Sequence, residues 1–153
     1  MRKLIFLAVA VVACSKQEAP PADTTPAAAP APAAPAALTA ADVAGTWTGT
    51  GKREGTDSTV AFTFMSTSDS TGKIVFVGQK DTVSFTTKYD ADSLISMSTA
   101  YTDPTLPKGA PKVMFRSVAH KKDGKLVGVA SLVLASKPDS VLGKSNWEAT
   151  KAP

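Results

Sequence analysis

Cysteine occurs once in this 153-residue chain, at Cys14, and histidine once, at His120. A lone cysteine cannot close an internal disulfide, and with no second histidine, no spare cysteine and no nearby carboxylate cluster, His120 reads as a solvated strand end and not as a zinc ligand or the base of a nucleophile. No serine sits in a Gly-x-Ser-x-Gly setting, so the nucleophile elbow of a serine hydrolase is missing. Acidic side chains are few, 13 against 17 basic. Asp90, Asp92 and Asp103 could offer oxygens to calcium, but their spacing lacks the glycine and closing glutamate of a calcium loop, and aspartate is an ordinary turn former. No catalytic residue, metal or cofactor is therefore expected. Lysines are dispersed, with Lys121-Lys122 their one adjacent pair, and nothing has the concentrated charge of a nucleic-acid footprint. Long apolar runs are also lacking. Residues 4–12 form an unbroken run of nine, about half of the roughly 20 residues that cross 30 Å of hydrocarbon.

What that run does have is the form of an address. Arg2 and Lys3 precede it as a short positive segment and small Ala13 follows it, which is secretory signal geometry over residues 1–13. Its end, Val11-Val12-Ala13-Cys14, resembles the lipobox of bacterial lipoproteins. The resemblance implies cleavage between Ala13 and Cys14, a diacylglycerol on the Cys14 thiol and a fatty acid such as palmitate on the new amino group. It also implies a membrane partner reached through that lipid. Because Ser15 rather than aspartate follows, the enterobacterial sorting pattern points to the outer membrane, on its periplasmic or its surface face. One acyl chain binds a bilayer only marginally, whereas two or three, at about 0.8 kcal/mol per buried methylene, anchor firmly. With Arg2 and Lys3 removed, 15 basic side chains face 13 acidic ones, so the mature chain is close to neutral.

Residues 14–37 read as a tether. After Cys14 there is no aromatic residue and no aliphatic one larger than alanine, and prolines recur at 20, 21, 26, 30, 32 and 35. Such a segment cannot bury enough apolar surface to offset the entropy of ordering. Its prolines bias it toward extended polyproline II, reaching up to roughly 70 Å at about 3.1 Å per residue.

One domain remains, residues 38–153. Thr39 with Asp42 three residues on is a helix-start signal, with Leu38 and Val43 placed as a hydrophobic staple and Gly45 as the stop. Beyond Gly45 the chain is rich in Thr, Ser, Val, Phe and Lys in short runs between turn signals, which is all-β composition. Strands are expected over 46–52, 58–66, 73–79, 82–88, 93–101, 112–121, 125–135 and 141–151. Asp123-Gly124 is the strongest hairpin signal. Eight strands joined mostly by short turns predict an antiparallel up-and-down meander closed into a small barrel, since closure removes exposed edges. An open sheet or sandwich of the same strands is the alternative. Residues 126–135 carry two apolar faces, one of them available to the long loop, the short helix or a dimer partner.

The short helical turn leading into Ala44-Gly45-Thr46-Trp47 is similar to the opening of lipocalin and avidin-type barrels. That resemblance implies that Trp47 packs at the closed end with Trp147 placed to meet it, and that a small apolar ligand is held inside. The chain departs from both families. Thr48-Gly49-Thr50-Gly51 replaces the biotin-binding continuation, and the only late arginine to cover Trp47 is Arg116, three strands from the end.

The expected role is a non-enzymatic binding or structural module of the bacterial envelope. Its partner would be a small apolar ligand in the barrel mouth, or an envelope protein docked on the 102–111 loop through Asp103, Leu106 and Lys108. Seven rings, Phe62, Phe64, Phe76, Phe85, Phe115, Trp47 and Trp147, compete for the interior, which favours a filled core. The alternative is an envelope enzyme using loop carboxylates, which requires Asp90, Asp92 and Asp103 to converge in one cleft.

Overall fold

The computed structural model describes residues 37–103 and 105–153. The expected signal, the lipidated Cys14 and all but the last residue of the tether lie outside the described residues. A short helix, α1 (Ala40–Val43), precedes eight strands: β1 (Gly45–Arg53), β2 (Thr59–Ser66), β3 (Thr71–Phe76), β4 (Val83–Asp90), β5 (Ser93–Ser98), β6 (Val113–Lys122), β7 (Lys125–Leu134) and β8 (Lys137–Lys151). Each strand pairs antiparallel with the next, and β8 returns to β1 in an unbroken register from Trp47↔Lys151 to Arg53↔Ser145. The meander is thus a closed barrel and not an open sheet or sandwich.

Strand limits depart from the sequence expectation where local chemistry overrides the hydrophobic pattern. β3 starts at Thr71 because the Asp69 carboxylate accepts from the Thr71 amide and hydroxyl at 3.1 and 2.7 Å, completing the turn before it. The same strand ends at Phe76, not 79, because Gly78 takes a φ of 89°, in the left-handed region that glycine enters without penalty. β5 ends at Ser98, and Tyr101 rejoins the sheet by a single bridge to Val113. β8 begins at Lys137 rather than 141. It carries Pro138 through a register shift against β7, where Leu134 faces Lys137 and Val133 faces Val141, so the missing proline amide falls where the ladder has no bond to lose.

The helix closes one end of the barrel. The Thr39 amide and hydroxyl donate to Asp42 Oδ2 at 3.0 and 2.6 Å, and these bonds hold the Asp42 carboxyl below its usual range. Leu38 and Val43 are both buried in the core, and the Leu38 amide reaches the Ala91 carbonyl at 2.8 Å in the β4–β5 turn. Trp47 is 1% exposed, and its indole N–H donates to the Val43 carbonyl at 2.8 Å. The cation over this ring is Lys151, at 5.8 Å from the centroid. Arg116 is instead exposed, opposite Met97 and Ser131. Sequence reasoning looked for an arginine and overlooked a lysine at the end of the adjacent strand.

Strand alternation sends Trp47, Gly49, Gly51 and Arg53 of β1 inward, and glycine is structural at some of these inward positions. A Cβ on Gly72 would collide with the Phe85 ring opposite it, and one on Gly128 would lie 2.6 Å from Ala119 Cβ. Gly51 has no contact closer than 3.7 Å. On the second apolar face of β7, Val133 is fully buried while Val129 stays exposed, in line with exposed Val118 and Ile95 across β6 and β5. Only the Val133 end of this face is therefore buried.

Gly72→Ala is expected to cost about 1–3 kcal/mol through overpacking. Gly51→Ala, with room for the methyl, should stay within about 0.5 kcal/mol of the parent. Urea unfolding of the two variants checks this, and equal losses would show that the glycines do not set how closely the interior packs.

Candidate functional site

The inward rows do not fill the barrel. A cavity of about 210 Å³ runs from Val43 and Leu94 above the closed end to Arg53, Gln79, Tyr101 and Asp103 at the other. This corrects the expectation of a filled core. Six of the seven rings line the space, with Trp47 packed at the closed end outside it, because the positions facing them carry side chains too small to meet them: Gly51, Ser96, Ala130, Gly143 and Ser145 all border the same cavity.

The rings form one connected wall. Trp47 stacks on Phe64 at 6.1 Å with 7° between planes, and Phe64 meets Phe85 edge-on at 6.0 Å. Phe85 leads to Phe115, Phe115 to Tyr101, and Tyr101 stacks on Phe76 at 6.1 Å. Trp147 makes edge contacts with Phe62 at 5.9 Å and Phe64 at 6.4 Å. The two tryptophans thus share Phe64 as a neighbour. Trp147 pairs with Gly51 across the β1–β8 seam, two positions up β1 from the last inward residue below it, and borders the cavity. Offset and edge-on geometries of this kind add about 0.5–1.5 kcal/mol per pair to the area buried, so the wall is rigid even though it encloses a space.

A second stripe on β4, β5 and β6 is hydroxylic. Thr87 and Ser96 bond each other at 3.1 Å, Ser98 Oγ accepts the Phe115 amide at 2.9 Å, and Ser117 Oγ accepts the Trp147 indole N–H at 2.9 Å. Ser98 and Ser117 each accept a proton in these bonds and keep their own hydroxyl hydrogen. Three of the four, Thr87, Ser96 and Ser117, border the cavity, which is therefore apolar on most of its wall with a few placed donors. Sequence reasoning treated these residues as ordinary strand threonine and serine; only the inward phase of each strand separates them from exposed Thr86 or Ser84.

The loop residues expected to bind are divided. Asp103 lines the mouth, its Oδ1 accepting from the Thr105 amide and hydroxyl at 2.8 and 2.7 Å. Leu106 is half-buried and Lys108 exposed, and neither borders the cavity. His120 is exposed on β6, opposite Ser93 and Val127. Asp90 and Asp92 flank the β4–β5 turn, while Asp103 follows the other end of β5, about 20 Å away at roughly 3.3 Å per strand residue. The three carboxylates do not share a cleft, and among the described residues no group of three His, Cys, Asp or Glu side chains is placed to hold a metal ion. Ala13 and Cys14 lie outside the described residues. The charged residue that sequence reasoning missed is Arg53. It was read as the start of a polar turn, although counting by twos from Trp47 would have sent it inward.

Burial pushes the Tyr101 phenol well above its ordinary range, and the Asp103 carboxylate adds to the rise. Burial also raises Tyr89, partly opposed by the Ser66 hydroxyl. A raised acid stays neutral in the folded chain after the unfolded phenol has begun to ionise near pH 10. Stability is therefore complete below about pH 10 and declines as pH rises further. Ultraviolet titration should show Tyr89 ionising above the pH where free tyrosine is half ionised and Tyr101 appearing only on unfolding; an ordinary titration of both phenols would contradict this burial. No family model, curated protein or solved structure matches the chain.

Proposed function

We propose that the barrel holds one small, mostly apolar molecule, without chemistry on it, and presents or stores it at the bacterial envelope. The observation that carries this reading is the cavity of about 210 Å³, walled by a rigid aromatic lattice and closed at one end by Trp47 and α1. Eight-stranded barrels are just wide enough for side chains or a single small ligand, and here glycine, alanine and serine leave the room. The size lies below the roughly 300 Å³ at which drug-sized sites begin, so the occupant is compact. The inward hydroxyl of Ser117, which borders the cavity, would orient it. This reading is preferred to docking of an envelope protein on the 102–111 loop, because Asp103 and Thr105 of that loop border the cavity and so serve its mouth.

The location is part of the same proposal. Cys14, lipidated and preceded by the signal of residues 1–13, would anchor the chain to the envelope membrane, in the outer membrane by the residue at 15, with residues 15–37 as spacer. A carrier fixed at a membrane gains local access to sparingly soluble molecules.

Two measurements test these points. Binding of 1-octanol, followed by the emission of Trp147 on the cavity wall, should be saturable, and Ala130→Phe, which places a ring in the cavity, should weaken it by about tenfold or more, 1.4 kcal/mol per decade. Saturable binding that survives Ala130→Phe would place the ligand elsewhere. In bacteria fed labelled palmitate, the parent chain should take up label and enter the membrane fraction, and Cys14→Ser should do neither. Label retained by Cys14→Ser would refute the anchor.

A further inference from the structure

We infer that the molecule held in the barrel is an anion, an apolar body bearing one carboxylate, and that Arg53 at the mouth reads the carboxylate. The inference rests on the cavity reading above and adds to it the class of ligand.

Arg53 is the last inward residue of β1, in the row Trp47, Gly49, Gly51, Arg53, and it borders the cavity. Its cross-strand partner on β8 is Ser145, also on the cavity. The guanidinium lies across Gly143, where a Cβ would stand 3.0 Å from Nη2 and 3.2 Å from Nε. Any larger residue at 143 would push the side chain away, so the glycine gives the guanidinium its seat at the rim.

The charge has no partner among the described residues. Among the described residues the ion pairs are Lys52 with Asp57, at 3.1 Å, and Lys125 with Glu148, at 3.4 Å, and neither involves Arg53. No side-chain hydrogen bond from the guanidinium to a described acceptor is formed. The nearest acids in sequence are otherwise placed: Glu54 is exposed, and Asp57 is held by Lys52. Asp103 borders the same cavity but lies beyond ion-pair distance, with its Oδ1 taken by Thr105. Arg53 also borders a shallow hollow under the 54–57 turn, yet its head group is at Gly143.

A half-buried arginine whose five donors have no acceptor among the described side chains is a poor arrangement for an empty barrel and a good one for an occupied one. Its planar fork matches a carboxylate bidentately, which a lysine ammonium does not. The wall below it is aromatic, so the matching ligand has its acid at the rim and its apolar part among Phe62, Phe115 and Trp147.

The test compares two probes of equal chain length, octanoate and 1-octanol, on the full chain carrying Cys14→Ser, with affinities from calorimetry at neutral pH. Octanoate is expected to bind about tenfold more tightly, the scale of one charge-assisted pair at a partly solvated rim. Arg53→Met should erase that preference, bringing octanoate affinity down to that of 1-octanol, with the urea midpoint unchanged, and Arg53→Lys should restore only part of it. Equal affinity of the parent for both probes, or a preference that persists in Arg53→Met, would overturn the anionic reading and leave the cavity reading standing. Failure of both probes to bind the folded parent would remove the cavity reading and this inference with it.

Discussion

The hydrogen bond from the Trp47 indole to the Val43 carbonyl joins the two parts on which everything else rests. It ties the short helix to the first strand at the point where that strand enters the barrel. A buried indole N–H left without a partner would cost about 1–3 kcal/mol. The four-residue helix α1 is too short to be stable by itself, so each depends on the other. Once Trp47 is seated, with Phe64 stacked on its ring and Lys151 over it, one end of the barrel is closed.

The interior follows from a balance between large and small inward residues. A barrel of this strand number has little room to spare, and rings at Phe62, Phe64, Phe85 and Phe115 would be expected to take all of it. Glycine at 49 and 72 lets two of those rings come close to the backbone of the neighbouring strand, as a Cβ there would strike Phe62 or Phe85. The rings are thereby drawn to the wall, and the axis is left to the serines and to solvent or ligand. Packing that looks like core formation is also what keeps the cavity open.

Much of this was legible in the residues. Thr39, Asp42 and Gly45 announced the helical turn, Asp123-Gly124 announced a hairpin, and alternation in residues 60–64 and 83–85 announced strands in a meander. These are local rules, and each acts over a few residues. The hollow interior was not legible, because aromatic count measures how much side chain is available and not which side chains face one another across the barrel. Pro138 misled in the same way. It reads as a turn residue, and only the register shift between β7 and β8 shows that its missing amide costs nothing there.

The sequence by itself determined the elements, their order and the all-β class, since backbone preference and hydrophobic period are properties of neighbours along the chain. The resemblance of residues 11–14 to a lipobox is likewise a pattern of neighbouring residues. Which residues share a space was decided only by the tertiary structure. Closure of β1 on β8 sets Arg53 beside Ser145 and Gly143, some ninety residues away in the chain, and places Trp147 on Ser117. Such juxtapositions depend on strand register around a closed ring, where a slip of one residue turns every inward side chain outward, and no local preference encodes that phase.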